Sequence, residues 1–286
     1  MFVTKNTLSA IKDYFFNELT PVYHNTEVES FFYILCEYFL GFSKSDVLLG
    51  INKSLSESEM LKFHYAIKDL KKEKPVQYIT GNEYFYENEF LVNEHTLIPR
   101  PETEELVDLI IKENHNFKGT ILDIGTGSGV IAISLDLKLL NSKVSAYDVS
   151  KDALELAEKN NSALNSNVEF IHQDILNPIY NGDKFDIIVS NPPDVKMDEK
   201  ELMNSNVLDY EPHLALFVEN NNALIFYEKI IEFALNYLKP KGKLYFEINE
   251  QYGKETAELL QNNFRDIEIV KDIYGKDRTV KGIRTQ

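Results

Sequence analysis

The sequence of 286 residues predicts an α/β protein with a mostly parallel sheet and helices on both faces. Apolar runs and helical patterns alternate from about residue 117 to the end of the chain, as they do in such sheets. A glycine-rich turn joins an apolar run to a helical pattern within Ile121–Ser134. Residues 1–74, by contrast, show helical spacing alone. We therefore expect a small helical N-terminal domain and a larger α/β domain.

The helical domain is predicted from apolar residues at spacings of three and four, as in Leu8, Ile11 and Phe15. Ser56 and Glu59 stand where they can form a capping box at the start of a helix that runs to about residue 72. No glycine loop or Asp–His cluster in this segment indicates chemistry. Taken alone, residues 1–74 either bind something or simply pack.

Residues 75–106 are rich in aromatic and turn residues, and partial alternation runs from Tyr84 to Val92. This pattern predicts a linker with a β-hairpin that joins the two domains. In residues 107–286, the predicted strands are Thr120–Ile124, Lys143–Val149, Val168–Ile175, Phe185–Ser190, Lys243–Ile248, 266–272 and 279–285. The predicted helices begin near Gly129 and cover Lys151–Asn161, Ala223–Leu238 and Glu255–Phe264.

The charge balance argues against a nucleic-acid substrate. Acids number 46 and bases 30, so the net charge is −16, whereas phosphate contacts need clustered Lys and Arg. A single cysteine, Cys36, fits a reducing compartment, and the N-terminal residues lack the pattern of a signal peptide. The six histidines have no metal-ligand spacing. We therefore expect a cytoplasmic protein with no membrane partner and no metal.

The glycine-rich turn has its glycines at positions 125, 127 and 129, and Asp123 precedes it. Glycine permits a positive φ and close approach of a ligand to the backbone, and the helix start offers free N–H groups. Position 130 is Val, so the third glycine comes one residue earlier than in the nicotinamide-cofactor fingerprint. Asp148 and Asp174 follow at the ends of the next two strands, where the first can accept both ribose hydroxyls of a nucleoside.

The stretch Asp123–Gly129 resembles the first motif of the class I methyltransferases that use S-adenosylmethionine. The resemblance implies that the glycine turn faces the methionine part of this cofactor, that Asp148 binds the ribose and that Asp174 lies near the adenine. The cofactor-binding residues that it implies are Asp123, Gly125, Thr126, Gly127, Gly129, Asp148, Asp174 and Asn191.

The run Ile187–Val189 ends in Ser190 and then in the stiff arm Asn191-Pro192-Pro193. Proline has a carbonyl but no N–H, and it forces the preceding residue into an extended backbone. The side-chain oxygen of Asn191 and the carbonyl of Pro192 can therefore accept both hydrogens of one planar NH₂ group. Such a grip suits methylation of an amide or aromatic amine, where positioning rather than a titrating base carries catalysis. The alternative is that the two prolines simply end the strand and have no part in chemistry.

An Asn-Pro-Pro-aromatic motif is shared by methyltransferases of glutamine amides and of adenine N6 in DNA. Four further stretches resemble signatures of the methyltransferases that modify glutamine in peptide chain release factors: Pro75–Gly81, Leu97–Leu106, Val207–Pro212 and Asp272–Arg278. This resemblance covers nearly the whole chain and favours the first group. Adenine-N6 methylation of nucleic acid stays open as the alternative, against which the net charge of −16 speaks.

By this resemblance, S-adenosylmethionine donates a methyl group to the side-chain nitrogen (N5) of the glutamine in the Gly-Gly-Gln motif of release factors. Residues 1–74 would then dock the protein substrate, and residues 107–286 would form the methyltransferase domain. The implied substrate-binding residues are Arg100, Pro101, Glu102, Asn191 and Pro192, and the implied catalytic residues are Asn191, Pro192, Pro193 and Asp194. Pro101 followed by acids is also a good helix start in its own right.

Asp194 departs from the family pattern, which has an aromatic residue, usually Tyr, at this place. A carboxylate lacks the flat apolar wall of an aromatic ring and brings a charge that is expected to stay hydrated. Three interpretations follow: a working enzyme with a tuned pocket, a release-factor-binding protein with weak turnover, or an introduced substitution. We expect an enzyme whose activity Asp194 impairs.

Overall fold

A computed structural model describes residue 3 and residues 5–179, 182–219 and 222–286. The chain forms two compact units. The N-terminal unit contains the residues up to Gly81 together with Asn204–Tyr210, and the sheet unit contains Asn82–Met203 and Glu211–Gln286. The division therefore falls after Gly81 rather than after residue 74, because Val76 is buried in the apolar core of the N-terminal unit.

The N-terminal unit is helical, as predicted. Its helices are α1 (Leu8–Leu19), α2 (Asn25–Leu40), α3 (Lys44–Leu49), α4 (Glu57–Leu70), α5 (Val76–Thr80) and α9 (Ser205–Tyr210). The predicted capping box is present at α4, where the Ser56 hydroxyl accepts the Glu59 N–H at 3.2 Å and the Glu59 carboxylate accepts the Ser56 N–H at 2.7 Å. Helix α9 joins this unit because the Tyr210 hydroxyl donates to the Lys72 carbonyl at 2.8 Å.

The sheet unit begins with a hairpin of two antiparallel strands, β1 (Asn82–Phe85) and β2 (Asn88–Leu91). Tyr86 and Glu87 form its turn with φ angles of 42° and 69°. Positive φ at both turn residues matches the right-handed twist of the paired strands. The predicted hairpin is confirmed, but it belongs to the sheet unit, where Phe85 and Phe90 pack into the core.

The main sheet has seven strands in the order β10-β11-β9-β6-β3-β4-β5, and β11 is antiparallel to both of its neighbours. Its strands are β3 (Thr120–Ile124), β4 (Lys143–Asp148), β5 (Glu169–His172), β6 (Phe185–Ser190), β9 (Leu238–Glu247), β10 (Phe264–Lys271) and β11 (Asp277–Arg284). Short strands β7 (Val195–Lys196) and β8 (Phe217–Val218) pair with each other. The helices of this unit are α6 (Pro101–Glu113), α7 (Val130–Lys138), α8 (Lys151–Ala163), α10 (His213–Leu216), α11 (Ile225–Tyr237) and α12 (Gly253–Leu260). The predicted α/β fold is confirmed.

Strand β9 begins earlier than predicted, at Leu238 instead of Lys243. The intervening Pro240 and Gly242 are turn signals, and Lys241 does adopt a positive φ of 66°. The strand nevertheless extends through them, with an irregular register, because the fully buried Leu238 pairs with Phe185 of β6. Tertiary packing therefore overrides the local turn signal here.

The strand order places a topological switch at the carboxyl end of β3. From β3 the chain moves to β4 and β5 on one side, and it then returns to β6 on the other side. Ligands of open α/β sheets bind in the crevice that such a reversal creates. Apolar clusters cover both faces of the sheet beneath it, so the crevice rests on a packed core.

Candidate active site

A first cleft opens at the switch point and is lined by the loops that follow β3, β4, β5 and β6. Its floor is the glycine turn, in which Gly125, Gly127 and Gly129 have φ angles of 76°, 57° and 85°. A side chain at Gly127 would meet nothing within 4 Å, so the turn leaves open space on the cleft side. At Gly129 a Cβ would instead approach Ile133 to 3.0 Å and Ala157 to 3.2 Å. The third glycine therefore permits close helix packing rather than ligand approach.

Asp123 lies at the base of the glycine turn and is fully buried. Its Oδ2 accepts the Thr126 hydroxyl at 2.7 Å, whereas Oδ1 has no protein partner. Burial raises the pKa of this carboxyl to about 7, and the neighbouring charge of Asp148 raises it further in the same direction. A buried acceptor without a partner beside an open turn fits a cationic ligand group.

Asp148 ends β4 and holds the glycine turn in place. Its Oδ2 accepts the Gly127 N–H at 2.8 Å, and its Oδ1 accepts the Ser150 N–H at 2.8 Å. Burial raises its pKa. Each carboxylate oxygen can accept more than one hydrogen, so capacity remains for ribose hydroxyls. Asp174 follows β5 and lines the same cleft.

A second cleft adjoins the first, and the two share Asn191 and Pro192. Both residues follow β6, whose last residue, Ser190, is anchored by its hydroxyl to the Ile124 carbonyl at 2.7 Å. Arg100 also lines both clefts, and Pro193 lines the first. Asn191 and Pro192, the predicted acceptors for the substrate amide, therefore lie where the two clefts meet.

Asp194 lines the second cleft and is partly buried there. Its Oδ2 lies 3.2 Å from the hydroxyl of the fully buried Tyr227, which donates to it. The Asn249 N–H and the positive charge of Arg278 also favour its ionised form, while burial raises its pKa to about 6. Residues of α11 and of the loop after β9 therefore contact this side chain, and the expected hydration of its charge stays a prediction.

Pro101 and Glu102 form the first turn of α6, with Pro101 at its first position, and neither lines the first or the second cleft. The helix start that the sequence offered is confirmed. The part that these two residues play toward a substrate stays a prediction.

Three side chains that shape the site were not predicted. Glu247, at the end of β9, is 8% exposed and has one carboxylate oxygen without a partner, and burial raises its pKa to about 7. Glu211 is buried, pairs with Arg100 at 2.5 Å and accepts the Ile98 N–H at 3.2 Å. Asn160 is buried in α8, and its side chain forms hydrogen bonds to the hairpin and to the glycine turn. Glu247 ends an apolar run, and an acid in that place was the sequence signal that could have revealed this residue.

Asn160 ties three parts of the sheet unit together. Its side-chain oxygen accepts the Leu91 N–H at 2.7 Å. Its amide group donates to the carbonyls of Leu91 at 3.0 Å and Ser128 at 2.9 Å. This side chain therefore fixes β2 and α8 against the turn that forms the floor of the first cleft.

A glycine turn after β3 and acids at the ends of the next two strands define a class I methyltransferase. Residues 103–208 match the family model described as Methyltransferase small domain, and residues 15–81 match the PrmC N-terminal domain. A solved methyltransferase from Pyrococcus furiosus has this fold, with a TM-score of 0.52 and 20% identity over 78% of this chain and 99% of its own. The chain belongs to the release factor glutamine methyltransferase family, because relatives of that name that are 49% and 44% identical cover nearly all of it.

Full-length relatives establish this membership. A release factor glutamine methyltransferase of Flavobacterium psychrophilum is 49% identical, over 95% of this chain and 98% of its own. A protein of the same name from Bacteroides thetaiotaomicron is 44% identical, over 97% of this chain and 100% of its own. These names do not favour the adenine-N6 alternative.

Within residues 5–179, 182–219 and 222–286, no helix is both long and apolar enough to cross a membrane. The same described residues contain no group of three or more His, Cys, Asp and Glu side chains that could hold a metal ion.

Proposed function

We propose that this protein transfers a methyl group from S-adenosylmethionine to the side-chain amide nitrogen of the glutamine in the Gly-Gly-Gln motif of peptide chain release factors. The observation that carries this proposal is the meeting of two clefts at Asn191 and Pro192. The first cleft has the acids and glycines that suit a nucleoside with a cationic tail, and the second cleft is lined by the same two acceptors.

The first cleft fits S-adenosylmethionine on two observations. The Oδ1 atom of Asp123 is buried without a partner, which suits the positive charge of the methionine part. The open space at Gly127 leaves room for the backbone to approach a ligand. Asp148 would hold the ribose, and Asp174 would lie beside the adenine. When bound, this cofactor supplies an electrophilic methyl group.

The grip on the substrate amide comes from Asn191 and Pro192. The Asn191 side-chain oxygen and the Pro192 carbonyl accept the two N–H groups of the glutamine amide. Accepting both hydrogens orients the nitrogen and raises its electron density, which an amide needs because its lone pair is delocalised. Pro193 has no N–H that could compete for these acceptors. Catalysis in this scheme is chiefly positioning.

A direct test combines the purified protein with labelled S-adenosylmethionine and a release factor, followed by peptide mass analysis. We expect one methyl group on the glutamine of the Gly-Gly-Gln motif. Asn191→Ala should bind cofactor normally but lose at least about 100-fold in single-turnover rate, because one of the two acceptors is gone. A release factor with that glutamine replaced by asparagine serves as the control. Label on any other residue would contradict the proposal.

The N-terminal unit docks the release factor in this scheme. Its supports are the match of residues 15–81 to a domain model of the family and the aromatic side chains that the unit exposes. Tyr38 is 49% exposed and Tyr65 is 60% exposed, and exposed tyrosines are frequent anchors of protein interfaces. Tyr65→Ala should weaken release-factor binding by about fivefold or more and leave cofactor binding unchanged.

A matched control for this docking test is Leu140→Ala, which truncates an exposed apolar side chain of the sheet unit. We expect no change in release-factor affinity for that variant. Equal losses in the Tyr65 and Leu140 variants would show that the N-terminal surface has no special part in docking. We also propose that the protein works in the cytoplasm, where it would meet this substrate.

A further inference from the structure

Methylation of an amide nitrogen releases a proton that needs an acceptor. The nitrogen lone pair forms the new N–C bond, and the electron pair of the broken S–C bond remains on sulfur. The nitrogen then carries one hydrogen too many for a neutral amide, so one N–H bond breaks and its electron pair returns to nitrogen. Positioning by Asn191 and Pro192 serves the attack, but amide oxygens are weak bases and do not keep the proton.

The second cleft contains three carboxylates that could take this proton: Asp194, Glu247 and Glu250. Glu250 is engaged by Lys276 at 2.9 Å. Glu247 is only 8% exposed and its one unpartnered oxygen is buried, so it presents little surface to the cleft. Asp194 is therefore the group best placed to be an ionised acceptor.

We propose that Asp194 is a catalytic residue that accepts the proton lost by the glutamine nitrogen. This inference rests on the proposed function. Asp194 follows the acceptors Asn191 and Pro192 by only a few residues and lines the same cleft as they do.

The surroundings of Asp194 suit a carboxylate that is ionised at neutral pH and still basic. Its donors are the Tyr227 hydroxyl on α11, at 3.2 Å, and the Asn249 N–H in the loop after β9. Arg278 on β11 favours the ionised form, whereas the charge of Glu199 opposes it. Burial is the largest influence and raises the pKa of Asp194 to about 6, with the result that the group is mostly ionised at pH 7.

The test compares single-turnover methylation by the wild type and Asp194→Asn from about pH 5 to about pH 8, with cofactor and release factor saturating. For the wild type we expect the rate to rise with pH through a midpoint near 6, where Asp194 ionises. Asp194→Asn should lack this step and be about 10- to 100-fold slower at pH 8. This loss lies at or below the lower end of the range for a general base, because the attack itself needs none. Asp194→Glu should keep a pH step.

Tyr227→Phe distinguishes an acceptor from a merely structural carboxylate. It keeps the buried ring but removes the donor to Asp194, so the midpoint should move to higher pH while folding is retained. Glu232→Gln is the matched control, because it removes an exposed carboxylate on the same helix that pairs with Lys229. That variant should have the wild-type midpoint. An unmoved midpoint in Tyr227→Phe would overturn the assignment.

A second readout needs no cofactor. In protein with ¹³C-labelled aspartate carboxyl groups, the resonance that Asp194→Asn lacks should titrate with the same midpoint as the rate. If Asp194→Asn methylates the release factor as fast as the wild type at every pH, this inference is overturned and the proposed function is not. Failure of every form to methylate a release factor at any pH overturns the proposed function and the inference with it.

Discussion

Replacement of Asp148 by alanine tests the cofactor site most directly, because this carboxylate is the proposed ribose acceptor and also holds the glycine turn. It accepts the N–H groups of Gly127 and Ser150, each at 2.8 Å. Alanine would leave both donors without this partner and would remove the acceptors for the ribose hydroxyls. A hydrogen bond to a charged group contributes about 1.5–3 kcal/mol, so loss of the ribose contact alone should weaken binding about 10- to 150-fold. Loosening of the turn places the expected loss in the upper half of that range.

Isothermal titration calorimetry with S-adenosylmethionine and with its demethylated product measures this loss. The matched control is Asp136→Asn, which changes an acid that accepts the backbone N–H of Asn167 at 2.8 Å. That control should bind as the wild type does. If Asp148→Ala binds within about threefold of the wild type, the carboxylate does not hold the ribose and the assignment of the first cleft fails. Circular dichroism checks that the variant is folded.

Three further outcomes are expected. The pKa of Asp194 is raised from 3.8 to about 6 in the folded state, so ionising this group costs the wild type stability as pH rises through this window. Relative to the wild type, Asp194→Asn should gain up to about 3 kcal/mol in unfolding free energy between pH 4 and pH 7, measured by urea denaturation. A difference that does not change with pH would contradict the raised pKa. Asn160→Ala should lower the unfolding free energy by about 2–3 kcal/mol, since it breaks one buried and two partly buried hydrogen bonds. A change below about 1 kcal/mol would show that water replaces them. Glu211→Gln should raise the KM for release factor about tenfold with unchanged cofactor affinity, because Arg100 loses its ion-pair partner. Equal KM values for the variant and the wild type in a steady-state assay would show that Arg100 does not bind the substrate.

Asp194→Tyr separates two interpretations of the departure from the family pattern. If the missing aromatic wall impairs this enzyme, the tyrosine variant should methylate faster than the wild type at every pH. If Asp194 accepts the proton, the variant should lose the pH step and gain no rate at pH 8. Single-turnover rates at the two ends of the pH range decide between them, and cofactor affinity serves as the control for an intact first cleft.

Much of the fold was predictable from the sequence because its signals are local. Alternating apolar and helical patterns predicted strands such as Thr120–Ile124 to the residue, and spacing alone predicted the capping box at Ser56. The hairpin turn at Tyr86 and Glu87 has no glycine, yet the flanking alternation was enough to predict it. The glycine turn and the Asn-Pro-Pro arm indicated their chemistry because backbone freedom and missing donors are properties of the residues themselves.

Only the tertiary structure decided which distant residues meet. It brought Glu211 to Arg100, and it brought Tyr227 of α11 to Asp194, which a local pattern left as a hydrated charge. Burial at the end of the interior strand β9 also raises the pKa of Glu247 to about 7, a property that its sequence neighbours do not encode. The physical reason is that desolvation and long-range hydrogen bonds depend on how helices pack against the sheet, whereas the sequence pattern reports only which residues share a strand or a helix.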